Sequence, residues 1–163
     1  ISGHFETGEP LPDELLQRML KARNFQSGMQ MVRQLEFALF DFRLHRDWGD
    51  GVTDVQALLD QVRAEVAVTQ PPAYNRFQHG FSHIFVGGYA AGYYSYKWAE
   101  VLAADAYAAF EEAGIFDRET ATRFRREILE VGGSRDIMEA YVAFRGRRPE
   151  IDALLRQCGI RAE

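Results

Sequence analysis

The stretch from Phe25 to Arg46 constrains the fold more than any other part of the chain. Val32, Leu35, Leu39 and Phe42 recur at helical spacing and make one apolar stripe, while Met31, Phe37, Phe40 and Leu44 fill other faces. A helix that is apolar nearly all round has to be covered on most sides. The charges embedded in it, Glu36, Asp41 and Arg43, then need partners, because an unpaired buried charge is costly. Such a helix calls for several others around it.

The flanking sequence supplies them. Pro12 and Asp13 open a first segment with Leu15, Leu16, Met19 and Leu20 at helical spacing and Asn24 at its end. After the turn Trp48 to Gly51, Thr53 and Gln56 have the spacing of a capping box ahead of Val55, Leu58, Leu59, Val62 and Val66. Pro71 and Pro72 keep residues 69–77 out of a helix. An Ala-rich helix is expected from about Tyr93 to Ala113, stopped by Gly114. Another begins at Asp117 or Thr120, with Phe124, Ile128, Leu129 and Val131 facing inward and Gly132-Gly133 ending it. Ser134 is the expected N-cap of the next, which closes at Gly146, and Pro149 reads as a first helical position. No strand pair is apparent. The expectation is an all-α fold, one helical domain over residues 1–163, with about six or seven helices.

Composition narrows the function. The 163 residues are 47% apolar and 26% charged with a net charge of −5, which fits a globular chain and argues against nucleic acid as a partner. No uncharged apolar run is long enough to span a bilayer, so no membrane partner is expected. Cys158 is the one cysteine. It forms no internal disulfide and has no metal-binding companion, which fits a reducing, cytoplasmic setting. The chain starts at Ile1 rather than Met, which reads as processing or an engineered cut.

The segment FSHIFVGGYAAGYYSYKWAEV, Phe81 to Val101, is where chemistry could reside. Tyr89, Tyr93, Tyr94 and Tyr96 fall within eight residues, with Gly87, Gly88 and Gly92 nearby. Buried phenols need hydrogen-bond partners, so a purely structural helix would favour Leu and Ile. Glycines permit close backbone approach or loop movement. Together they offer hydroxyl donors suited to a peptide carbonyl or a developing oxyanion. Composition alone favours the plainer alternative, an aromatic stripe packed in a core; Trp98 is read that way, and at least one of Tyr93 and Tyr94 as well.

His79 and His83 have the i, i+4 spacing of a zinc-peptidase histidine pair. Gly80 stands where the HExxH motif has its Glu, so plain hydrogen bonding is the better reading of both. Arg145, Arg147 and Arg148 read as a solvated helix end. Cys158 has only Arg156 as an activating neighbour and is not a catalytic thiol.

The stretch HIFVGGYAAGYYSYKWAEVLAADAYAAFEEAGIF, His83 to Phe116, resembles the C-terminal signature of the oligopeptidase A family, zinc metallopeptidases related to thimet oligopeptidase and peptidyl-dipeptidase. Three further stretches agree: GHFETGEPLP from Gly3, RQLEFALFDFRLH from Arg33 and GGSRDIMEAYVAFRGRRPEIDALLRQCGI from Gly132. The resemblance runs in order along nearly the whole chain.

It implies an all-α fold with a deep channel, short peptides as substrates, and zinc as cofactor of an intact parent. The family holds its zinc by HExxH and a distant Glu, and this chain has no HExxH, so no metal ligand and no zinc are expected here. It implies that Tyr96 and Tyr89 steady the oxyanion, that His83 contacts the substrate backbone, and that Gly87, Gly88, Gly92 and Tyr93 belong to the substrate-binding loop. The chain alone is expected to be inactive and to self-associate. The competing reading is a non-catalytic helical module that binds a peptide or protein partner through its Tyr-rich surface.

Overall fold

The computed structural model describes residues 3–160. Eight α-helices carry it: α1 Asp13–Ala22, α2 Ser27–Asp47, α3 Val55–Val66, α4 Ser82–Phe85, α5 Ser95–Ala113, α6 Arg118–Phe124, α7 Ile137–Arg145 and α8 Asp152–Gln157. A 3-10 turn at Phe77–Gly80 precedes α4, and a π-turn at Arg125–Leu129 extends α6. The extended contacts among the described residues are two isolated bridges, Gly3 with Pro10 and Trp48 with Val52. The fold is all-α.

Three small cores replace one large one. The first unites α2, α3, the 3-10 turn and α4 through Phe40, Leu44, Leu58, Leu59, Val62, Phe81 and Ile84. The other two lie on different faces of α5. Val101, Ala104 and Ala108 meet Ala153 and Leu154 of α8. Ala106 and Ala109 meet Tyr141 and Phe144 of α7, with Phe110, Phe124 and Ile128 packed alongside. The alanines spaced three and four apart let both partners approach α5 closely.

Aspartates set the helix starts. Asp54 accepts from the backbone N–H groups of Gln56 and Ala57 and so takes the capping role expected of Thr53. Asp136 accepts from Met138 and Glu139, while the Ser134 hydroxyl donates to the Val131 carbonyl instead. Asp117 caps α6 through the Thr120 N–H. A carboxylate at the N-cap also meets the positive end of the helix dipole, which a hydroxyl does not.

Several burial expectations are corrected. Phe25 lies outside α2 and is exposed, and Leu35 and Phe42 are half-exposed, so one face of α2 is open. Trp98 is 43% exposed on α5, not core, and Leu129 is 63% exposed in the π-turn, whose extra residue per turn rotates it off the inward face. Pro149 precedes α8 by a short irregular stretch rather than opening it.

Arg148 is exposed as expected, but Arg145 and Arg147 do not make a solvated helix end. Arg147 donates to both oxygens of Asp105 at 2.9 and 2.6 Å, and Tyr141 Oη donates to Asp105 at 2.7 Å. Arg145 reaches the Asp105 carbonyl and Glu112. Asp105 is 1% exposed. Burial pushes its carboxyl up, but the hydrogen bonds from Arg147 and Tyr141 outweigh this and hold it below the usual carboxylate range. Its charge fastens the turn after α7 onto α5.

Candidate active-site face

The segment between α4 and α5 is short and tightly specified. Gly87 passes so close to α4 that a Cβ there would stand 3.0 Å from His83 Cα and 3.1 Å from its carbonyl oxygen. Gly88 has φ +80°, a left-handed conformation that a side chain disfavours. The Tyr89 N–H donates back to the His83 carbonyl at 3.0 Å. The chain thus folds back on α4 and brings Tyr89 over His83, their ring centroids 6.2 Å apart. Gly92 has no such demand: a Cβ there would make ordinary contacts at 3.5 Å or more.

The first turn of α5 completes the face. Tyr96 lies 5.0 Å from Tyr89, 5.2 Å from Tyr93 and 6.4 Å from His83, centroid to centroid. Tyr93 stands edge-on to His83 at 5.8 Å. His83, Tyr89, Tyr93 and Tyr96 therefore form one cluster, in which each ring contacts at least two others. Behind it the aromatic layer continues through Phe81 to Phe77 and Phe37, which stack at 4.6 Å. Arg33 covers Phe37 at 4.3 Å, and the Glu36 carboxylate takes both Arg33 and Arg63, at 2.7 and 3.0 Å. The charges embedded in α2 are all partnered, since Arg43 pairs with Glu65 at 2.8 Å.

Exposure separates the four tyrosines. Tyr89 and Tyr96 are 38% and 39% exposed and present their phenols on an open face. Tyr93 is half-buried, and its hydroxyl donates to Gln34 Oε1 at 2.9 Å. Tyr94 points away from the cluster and meets Phe42 edge-on at 6.4 Å. The Tyr96 phenol is pushed above its ordinary value, first by hydrogen bonding with the Tyr89 hydroxyl and then by desolvation. The Tyr93 phenol is raised by burial. Both keep their protons at neutral pH, which a donor requires.

Asp41 was legible only as a charge needing a partner, yet it is what holds this segment on α2. It is 0% exposed, and its two oxygens accept from the N–H groups of Ala91 and Tyr93, each at 2.9 Å. Gln34, two helical turns earlier, carries no sequence signal of its own. A carboxylate and an amide seven residues apart in an apolar helix lie on one face, and that spacing was the available signal.

His79 lies in the 3-10 turn while His83 lies in α4. Among the described residues no three His, Cys, Asp or Glu side chains are placed to hold a metal ion. No helix there is long and apolar enough to cross a membrane.

The profile of peptidase family M3 matches residues 1–160. The chain is 56% identical to oligopeptidase A of Salmonella typhimurium, over 99% of this chain and 24% of that protein. It is 48% identical to the organellar oligopeptidase A of Arabidopsis thaliana, over 99% of this chain and 21% of the relative. Against the dipeptidyl carboxypeptidase of Escherichia coli it is 40% identical, over 96% of this chain and 23% of the relative. It spans about a quarter of the length of the curated relatives it matches. On the match along residues 1–160, the chain belongs to peptidase family M3.

Proposed function

We propose that this chain is the substrate-binding portion of a zinc metallo-oligopeptidase that hydrolyses short peptides. The observation that supports it most is the convergence of His83, Tyr89, Tyr93 and Tyr96 on one partly exposed face. Zinc would activate water in the whole enzyme, and its ligands would come from residues outside this chain, since the described residues supply no metal site.

The chain's own residues would do the rest. Tyr96, protonated at neutral pH, would donate to the carbonyl oxygen as it gains charge. Tyr89, its ring 5.0 Å from that of Tyr96, would donate beside it and hold the peptide. His83 would bond the substrate backbone. Gly87, Gly88 and Gly92 would let the segment follow the peptide, and Tyr93 would form the packed wall behind it. Substrates would be short unfolded peptides, and the compartment a reducing one such as the cytosol.

The experiment is hydrolysis of an internally quenched peptide by the full-length chain that carries this segment. Turnover abolished by a chelator and restored by zinc is expected, with none from the 163-residue chain alone. Peptide binding without turnover by the full-length, zinc-supplied protein would favour a non-catalytic binding module instead.

A further inference from the structure

The geometry points to Asp41, assisted by Gln34, as the positioning residue that sets where Tyr89 and Tyr96 stand. This rests on the reading of those tyrosines as the donors to the substrate carbonyl.

Two tyrosines reach the open face from opposite ends of one short stretch, and residues 91–93 lie between them. That stretch has little of its own to fix it. Gly92 adds freedom, and Ala91 sits at φ +55°, a left-handed conformation uncommon for a residue with a side chain. Conformations of this kind persist only where the surroundings over-determine them. Here the surroundings are α2. The left-handed Ala91 turns its N–H and that of Tyr93 toward the same side, as in the backbone concavities that bind anions. The Asp41 carboxylate fills that concavity, one oxygen to each N–H at 2.9 Å.

Asp41 is itself held. His45 Nδ1, one turn along the same helix, donates to the Asp41 backbone carbonyl at 2.9 Å and lies 2.9 Å from one carboxylate oxygen. A carboxylate out of reach of water needs its oxygens satisfied, so the carboxylate and the loop require each other. Tyr93 is then tied at both ends, by its N–H on Asp41 and by its hydroxyl on Gln34 at 2.9 Å. Its ring, fixed in this way, is the surface against which Tyr96 packs at 5.2 Å. Asp41 thus acts on the substrate face through the loop and Tyr93, without touching the face itself.

The test is a double-mutant cycle in the full-length zinc-loaded chain. Asp41→Asn keeps the shape but replaces one acceptor oxygen with an NH₂ group that repels a backbone N–H. It should lower kcat about 10- to 100-fold through misplacement, with KM changed far less. In a background that combines Tyr89→Phe with Tyr96→Phe the same change should cost less than twofold, because both donors that Asp41 positions are already gone. Equal losses in both backgrounds, or full kcat in Asp41→Asn, would overturn the inference. Should Asp41→Asn fail to fold, Gln34→Leu gives the same cycle, with a smaller loss that must again vanish once both tyrosines are phenylalanine. Full kcat in Tyr96→Phe alone would sink the reading of Tyr96 and this inference with it. A loss there with a multiplicative Asp41 effect sinks the inference only.

Discussion

The rings of Tyr89 and Tyr96 stand 5.0 Å apart although six residues and the start of a helix lie between them. Neither helix periodicity nor a hairpin makes that pair. It arises because the chain turns sharply at Gly87 and Gly88, doubles back over His83, and is pinned to Asp41 before α5 begins.

That turn orders the effects of glycine substitutions. Gly87→Ala should impair turnover most, since the new Cβ meets the His83 backbone at 3.0 Å and the turn must shift away from α4 to admit it. Gly88→Ala should cost about 1–2 kcal/mol in left-handed strain and lower kcat less severely. Gly92→Ala meets only ordinary contacts and should cost the least of the three, losing backbone freedom alone. Measuring kcat for the three decides it; equal effects would mean that general flexibility, not this turn, is what matters.

Asp105 gives a pH prediction. Its folded-state pKa is depressed, so its contribution to stability is present above the unfolded value and lost as pH falls through the folded one. Asp105→Asn should destabilise the protein by about 3 kcal/mol at pH 7, because Arg145 and Arg147 lose a buried counter-charge. The gap should start to narrow as pH drops below about 4, the ordinary carboxylate value at which the unfolded chain takes up the proton, and close as pH falls through the lower folded-state value. Urea unfolding at pH 7 and pH 3 measures both; a gap that widens in acid would contradict the role given to Asp105.

Exposed apolar groups predict association. Leu15, Met19 and Leu20 on α1 are half-exposed, α1 has no buried residue, and Phe25 is 76% exposed. Patches of this kind drive self-association. Light scattering of the 163-residue chain should report a dimer or larger species, and a clean monomer at high concentration would count against it.

Periodicity made the helices legible, and Gly114 and Gly146 do end α5 and α7. It misled where a helix departs from 3.6 residues per turn, as at Leu129, and where two cap candidates lie side by side, as at Thr53 and Asp54. The Tyr–Gly segment stood out because its composition suits no ordinary core. What could not be read was the long-range half of each polar pair. Asp41 and Ala91 are fifty residues apart, and Asp105 and Arg147 forty-two, and no local pattern links either pair.

Tyr96 is proposed to donate to the substrate oxygen as charge develops there. Tyr96→Phe removes one oxygen and keeps the ring that packs on Tyr93 and Tyr89. In the full-length chain it should lower kcat by about 10²–10³ and leave KM nearly unchanged, the loss expected for one oxyanion donor. Tyr89→Phe should do the same more mildly, and Tyr94→Phe, whose ring lies against Phe42 outside the cluster, should change little. The contradicting result is full kcat in Tyr96→Phe together with a loss in Tyr94→Phe.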